Sequence, residues 1–244
     1  MKAFDSAPAW DRMEGYDSTP WAAADDTEEA CAFLTKIADG GRALELGVGT
    51  GRVALPLARS GIAVAAVESS PKMLEQLRAK PGGDELEVVL GDFADVPVEG
   101  EFSLVYCVFN TFFLLLTQDE QLRCFKNVAA KLKPGGAFVL QTLVLSADHY
   151  GADEWTETMH LGSDEVVLLA SVHDADEQRV NRQQIVLRES GPRFFPMSFR
   201  YAWPSELDLM AQLAGLKLEE RRKGWNDDQP FHYPGHVTVY RKHA

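Results

Sequence analysis

Long hydrophobic runs are missing from this sequence. No stretch approaches the ~20 apolar residues that span a bilayer, and the opening MKAFDSAPAWDRMEG holds no apolar core of a secretory signal. Cysteine is scarce: Cys31, Cys107 and Cys124 show no C-x-x-C spacing and no accompanying histidine pattern. That leaves no disulfide framework and no metal-ligand set, and it fits reduced thiols in a cytoplasmic protein. Positive charge is short as well, with 24 Lys and Arg against 37 Asp and Glu and a net charge of -13. Phosphate backbones are bound through clustered Lys and Arg, so nucleic acid is not an expected partner. A membrane is not expected either.

What the chain does hold is material for a core, 45% hydrophobic residues over 244 positions, enough for one generous domain. Its charge is unevenly placed. Residues 1–30 carry eight acids and two bases, and residues 148–178 carry nine acids and no Lys or Arg. A solvated surface accounts for this excess. So does an acidic rim that draws in a cationic substrate, and both readings remain open.

Short apolar runs alternate with helical patterns. Ala43 to Gly47 reads as a buried strand, followed by a helix around Val53 to Ser60. Ile62 to Val67 is a second strand, and Pro71 opens a helix at its favoured first-turn position. Leu86 to Leu90 and Phe102 to Phe109 are the third and fourth strands. Asp119 to Leu132 is a helix closed by Lys133-Pro134-Gly135-Gly136, and Ala137 to Val144 is the fifth strand. Strand-helix-strand spacing demands right-handed crossovers and a parallel sheet covered on both faces. After residue 150 three β-rich runs, Val166 to Val172, Gln183 to Leu187 and Phe194 to Tyr201, follow without intervening helices and predict an antiparallel meander. A helix from Pro204 to Leu213 and strands at Leu216 to Arg221 and Val237 to Tyr240 finish the chain. The expected fold class is α/β, a doubly wound, mostly parallel sheet with an antiparallel β-cap inserted after the fifth strand. It forms one domain, 1–244, with its core in 40–145, the cap in 150–203 and the closing elements in 204–244.

In open parallel sheets ligands bind beyond the carboxyl ends of the strands. The loop after the first strand is Glu45-Leu46-Gly47-Val48-Gly49-Thr50-Gly51-Arg52. It lacks the lysine of a nucleotide phosphate cradle, and its third glycine comes too early for the G-x-G-x-x-G dinucleotide fingerprint. Glu68 ends the second strand, 21 residues after Gly47, where a carboxylate accepts ribose hydroxyls. Asp92, followed by Phe93, ends the third strand, where it can accept the amino group of adenine, and Glu45 can orient the loop or a ligand amine. Each alone reads equally as a capping or solvated carboxylate. Together, beside a glycine loop, they describe a site for an adenosine-bearing ligand without its phosphates.

ALELGVGTGR, AAVESSPKML, GDF and LKPGGAFVL, in this order, resemble the class I S-adenosylmethionine-dependent methyltransferases over roughly residues 40–145. The resemblance implies a seven-stranded sheet with its last strand antiparallel. It also implies S-adenosylmethionine as cofactor, without a metal: the methionine part on Gly47, Gly49, Gly51 and Arg52, the ribose on Glu68, and the adenine beside Asp92 and Phe93. Ser69, Met73 and Phe109 lie in the same motif positions and join this set. The N-terminal segment 1–30 is implied to fold over the cofactor with Tyr16 near its carboxylate, the alternative being a surface helix packed on the sheet. CVFNTFFLLL, the β-rich cap and SFRYAWPSELDLMAQLAGLKL are similar to natural-product N-methyltransferases, among them the cypemycin-type peptide α-N-methyltransferases.

Methyl transfer from a sulfonium is an in-line displacement that positioning alone accelerates when the acceptor is a neutral amine. A hydroxyl needs a general base. Asn110, after the fourth strand, is a candidate to hold an amine by its side-chain oxygen, and Phe112 and Phe113 are candidates for a pocket wall, with one of them expected in the core. Tyr16 is a third catalytic candidate. His149, His160, His173 and His232 can reach the site from the cap or the last loop, and His232 is the best base should the acceptor be a hydroxyl. Tyr233, Arg200 and Tyr201 complete the substrate candidates. The expected function is transfer of a methyl group to an amine of a small metabolite or a peptide N-terminus. The alternatives are an O-methyltransferase acting on a hydroxyl or carboxyl, and a catalytically idle cofactor-binding or assembly module.

Overall fold

A computed structural model describes residues 4, 10–11, 16–18, 26–226 and 235–243. The strands that carry the site are those without polar alternation. β1 (Ala43–Leu46) and β2 (Val64–Glu68) are buried along their whole length and pair in parallel. On its other side β1 pairs in parallel with β4 (Phe102–Cys107), which pairs with β5 (Leu132–Leu143). β3 (Glu87–Leu90) is the edge beside β2, and its half-exposed residues match that position. The far edge is an antiparallel pair, β10 (Leu216–Arg222) on β11 (Gly235–Lys242), with β11 antiparallel to β5. The seven strands run β10-β11-β5-β4-β1-β2-β3. The doubly wound sheet with a reversed last strand is the expected one.

Helices cover both faces. α1 (Thr27–Ala38) packs Ala30, Phe33, Leu34 and Ala38 on the face that holds Ala43, Val64 and Leu104. The alternation of strands and helices from Ala43 onward does not predict this helix, although the i, i+3, i+4, i+8 apolar spacing carries one. α2 (Ala54–Arg59) follows the glycine loop, and α3 (Pro71–Arg78) starts where Ser70 caps the Met73 N–H at 3.2 Å with proline in the first turn. α4 (Gln118–Lys131) opens with a reciprocal capping box between Thr117 and Glu120. The other face buries Leu44, Leu46, Phe112, Phe125 and Phe138. Lys133 to Gly136 does stop α4, but the chain there already runs with β5. A register shift between Phe102 and Leu104 absorbs the extra residues, and Gly135 adopts φ +75°.

A short helix, α5 (Ala147–Tyr150), leads from β5 into the cap. The cap is an antiparallel sheet of four strands rather than three: β6 (Glu154–Leu161), β7 (Glu165–Asp174), β8 (Arg179–Arg188) and β9 (Gly191–Arg200), in that order. β6 escaped the sequence because Glu154-Trp155-Thr156-Glu157 reads as polar and Thr158–His160 contains a bulge. α6 (Pro204–Leu213) then returns the chain to the body. Among the described residues no helix is long and apolar enough to cross a membrane.

Candidate functional site

The strand order reverses between β1 and β4, and the carboxyl ends of these strands open on a cavity of about 300 Å³ lying under the cap. Its two halves differ in chemistry. One is made by the loop after β1, the end of β2 and the N-terminal segment. The other is made by the residues after β4 and by the inner face of the cap.

In the first half Glu68 organises the floor. Its carboxylate accepts the N–H of Ser69 at 2.9 Å and of Ser70 at 2.8 Å on Oε1, and of Gly49 at 2.7 Å on Oε2. Among the described residues Oε2 therefore keeps one free lone pair. Burial pushes the Glu68 carboxyl up, against the pull of those three N–H groups. Glu45 is buried at the end of β1 and accepts the Tyr106 hydroxyl at 3.0 Å; burial pushes it up to about 8, opposed by that hydrogen bond and by the nearby Arg52 charge. Gly49, at φ +56°, has open space where a Cβ would stand, whereas a Cβ on Gly47 would meet Thr111 Cγ2 at 2.4 Å.

Arg52 points one guanidinium nitrogen, Nη1, to Asp26 and Thr27, both at 2.9 Å. Its Nη2 is buried without a hydrogen-bond partner among the described residues. Asp26 also receives Trp225 Nε1 at 3.0 Å and Gln141 Nε2 at 3.2 Å, so this one carboxylate ties α1, β5 and the last loop to the glycine turn. Two described acids near the N-terminus are tied to the cavity rim: Asp17 accepts Thr50 Oγ1 at 2.6 Å and pairs with Lys80 at 2.6 Å, and Asp11 accepts Ser70 Oγ at 2.7 Å. Trp10 and Tyr16 line the cavity edge to face, 6.2 Å between ring centroids. Burial raises the Tyr16 hydroxyl above its ordinary value.

The second half begins with two residues in the left-handed region, Phe109 at φ +55°, strained for a bulky side chain, and Asn110 at φ +65°, which asparagine tolerates. A bulky side chain in this region is uncommon and persists only where surroundings hold it. Here Gln141 holds both, accepting Phe109 N–H on its side chain at 2.9 Å and Asn110 N–H on its carbonyl at 3.1 Å. The Asn110 side-chain oxygen accepts the Leu143 N–H at 2.5 Å. The result turns Phe109, Asn110 and Phe113 toward the cavity, while Phe112 goes into the core against Phe125 and Phe138. From the cap come Leu169, Arg182, Gln184, Phe195, Met197 and Phe199.

Of the residues read from the sequence, the structure brings Tyr16, Glu45, Gly47, Gly49, Arg52, Glu68, Ser69, Met73, Phe93, Phe109, Asn110 and Phe113 to one cavity. Gly51 lies behind the loop at φ +82°, with Leu55 where its Cβ would be. Asp92 stands outside the lining, accepting Ala94 N–H at 2.8 Å and Arg123 at 2.9 Å. Two substrate candidates are placed elsewhere. Arg200 is buried and bonded to Gln121, Gln178 and Glu206, and the Tyr201 hydroxyl meets His173 Nε2 at 3.0 Å. Arg200 braces the cap against α4 and α6 and Tyr201 ties the end of β9 to β7, roles that a strand-end position does not reveal. His149 stacks on Trp155 at 4.6 Å, and neither it nor His160 or His173 lines the cavity. His232 and Tyr233 lie outside the described residues. The cap residues were missed individually, although the alternation Arg182-x-Gln184 and Phe195-x-Met197-x-Phe199 marks one face of a strand.

Residues 43–136 match a family model described as a methyltransferase domain. The cypemycin N-terminal methyltransferase of a Streptomyces species is 34% identical over 181 residues, covering 74% of each chain. The solved CcbJ methyltransferase of Streptomyces caelestis is 42% identical, covers 98% of this chain and 96% of its own, and superimposes with a TM-score of 0.85. This chain is an S-adenosylmethionine-dependent methyltransferase. The methyltransferase shares its fold with the amino pentose methyltransferase CalS10 of Micromonospora echinaspora, solved with S-adenosylmethionine bound, at a TM-score of 0.71 and 21% identity over 94% of this chain and 97% of that one.

Proposed function

We propose that this methyltransferase transfers a methyl group from S-adenosylmethionine to an amine, on a small metabolite or a peptide N-terminus. The observation that carries the reading is the contrast within the cavity. Among the described residues its first half offers what the cofactor's polar groups require: a buried guanidinium nitrogen of Arg52 without an acceptor, a free lone pair on Glu68, and an open backbone at Gly49. These residues fit S-adenosylmethionine, with its carboxylate toward Arg52, its ribose toward Glu68, its amino group toward Glu45, and Tyr16 and Trp10 covering it. The bound cofactor supplies an electrophilic methyl on a sulfonium.

Phe109, Phe113, Leu169, Phe195, Met197 and Phe199 surround the acceptor. A wall of this kind penalises an ammonium and favours the neutral amine, which is the nucleophilic form. Orientation then supplies most of the acceleration, with Asn110 placed to receive an amine N–H on the second lone pair of its Oδ1. The names of two of its relatives, the cypemycin N-terminal enzyme and a glycine N-methyltransferase of Rattus norvegicus that is 30% identical over 114 residues, 41% of this chain and 39% of that one, support nitrogen as acceptor. Three free cysteines support the cytoplasm as its location.

The test is a mass-spectrometric screen of paired amine and alcohol acceptors with S-adenosylmethionine, run across pH. Amines gaining 14 mass units per methyl, at a rate that rises with pH toward the amine's own pKa, are expected. Methylation of alcohols alone would overturn the assignment.

A further inference from the structure

The acidic excess of residues 148–178 suggested a cap that attracts cations, yet the face the cap turns to the cavity has the opposite character. On β8, Arg182 and Gln184 are two residues apart and share that face. Arg182 sits opposite Ser171 on β7 and Met197 on β9, and Gln184 opposite Leu169 and Phe195. Both are thus polar groups set into an apolar sheet. Among the described residues the Arg182 guanidinium makes one hydrogen bond, from Nε to Ser171 Oγ at 3.0 Å, and its carbon lies 5.4 Å from the centre of the Phe199 ring. Its ion partner Glu157 is 3.7 Å away, beyond hydrogen-bond reach, and that carboxylate also serves Trp155 Nε1 at 3.1 Å and His149 at 3.4 Å. Gln184 Nε2 is buried with no hydrogen-bond partner among the described residues. A guanidinium so weakly compensated, beside a second idle donor, is costly in an apolar wall unless a ligand completes it.

We infer that Arg182 and Gln184 form an acceptor-side subsite for a carbonyl-type oxygen, an amide carbonyl or a carboxylate, carried by the methyl acceptor at the far end of an apolar body from its amine. The inference rests on the amine reading above for what lies at the other end. It narrows the substrate class: a simple hydrocarbon amine leaves both donors unsatisfied, whereas a peptide or an amino acid derivative satisfies them. Specificity in such a site comes from what an unsuitable ligand fails to pair.

Two measurements test it. In the first, hexanoate, hexanamide and hexane-1-thiol, none of which bears an amine, are titrated into the enzyme saturated with S-adenosylhomocysteine. The acid or the amide is expected to bind at least about tenfold tighter than the thiol. Preference for the acid over the amide, or the reverse, identifies the kind of oxygen. Arg182→Met and Gln184→Leu should each reduce that advantage, Arg182→Met to near zero, with S-adenosylhomocysteine affinity unchanged as the control for folding. Gln184→Leu leaves the Arg182 packing untouched, so the two variants together separate loss of the donor from loss of the wall. Equal binding of all three probes, or an advantage that survives in both variants, would overturn the subsite. In the second, 6-aminohexanoate, 6-aminohexanamide and hexylamine are compared as methyl acceptors. Equal turnover of all three contradicts the subsite and leaves amine methylation standing. Turnover of none, with the first result positive, contradicts the amine reading and leaves the subsite standing.

Discussion

The two halves of the cavity are built by opposite strategies. The cofactor half is assembled from backbone: a glycine turn, strand ends and one carboxylate, Glu68, that holds three N–H groups in place. The acceptor half is assembled from side chains after β4 and on the face of a separate sheet, with polarity supplied by Asn110, Thr111, Arg182 and Gln184. A backbone site tolerates little change, because loop geometry depends on positive φ and on close approach. A side-chain site on an inserted sheet can change its specificity one residue at a time without disturbing the other half. The difference teaches that cofactor use and substrate choice are separable here, and substitutions should divide accordingly.

The largest expected effect lies in neither half. Arg200→Met removes the cation paired with Glu206, which keeps only the amides of Gln118 and Gln178, and takes the donor from the side-chain oxygens of Gln121 and Gln178. Breaking such a pair should destabilise the fold by roughly 3 kcal/mol in chemical unfolding. The KM for the methyl acceptor, measured at a temperature where the variant is folded, should not move. A specific rise in KM would return Arg200 to the substrate site.

Glycine substitutions sharpen the contrast inside the cofactor half. Gly47→Ala drives a Cβ to 2.4 Å from Thr111 Cγ2 at φ +70°, so it should lower stability, by about 2 kcal/mol or more. Gly49→Ala meets no atom within 4 Å and should lose only the ~1 kcal/mol of a left-handed alanine. Its methyl occupies the space proposed for the cofactor, and S-adenosylhomocysteine affinity should fall more steeply than stability. Thermal melting and calorimetry on the same two proteins read both quantities.

The remaining effect is a pH dependence. Glu45 carries its proton up to about pH 8 in the folded chain, mainly because it is buried. The folded state therefore binds more protons than the unfolded state between the ordinary carboxylate range and about 8. The resulting stability is complete below the unfolded pKa and is lost as pH rises through the folded one. Melting temperatures between pH 5 and 9 should decline in the wild type relative to Glu45→Gln. Parallel profiles would show that Glu45 is ionised in the fold.

Much of the cofactor half was legible in the sequence because its residues are local and their order is fixed by the βαβ path. Glu45, Gly47, Gly49 and Arg52 fall within eight positions, and Glu68 follows at the end of the next strand. The antiparallel cap was visible as β-rich runs, but its first strand was hidden by polar residues and a bulge at Thr158–His160. Which cap residues face the cavity depends on register across three strands, as in the pairing of Gln184 with Leu169 and Phe195, and one-dimensional order does not contain it. Arg200 and Tyr201 were misplaced for a related reason. Arg200 ends β9 and Tyr201 follows it, yet α4 and α6 hold the Arg200 side chain and His173 on β7 holds the Tyr201 hydroxyl.

The central claim, a cofactor half anchored by Glu68 and independent of the cap, is tested most directly by calorimetric titration of S-adenosylhomocysteine into wild type, Glu68→Ala and Arg182→Met. The expected result is tight binding to the wild type and to Arg182→Met, and a loss of about 1.5–3 kcal/mol in Glu68→Ala. No binding to the wild type, or equal binding to all three proteins, would contradict it.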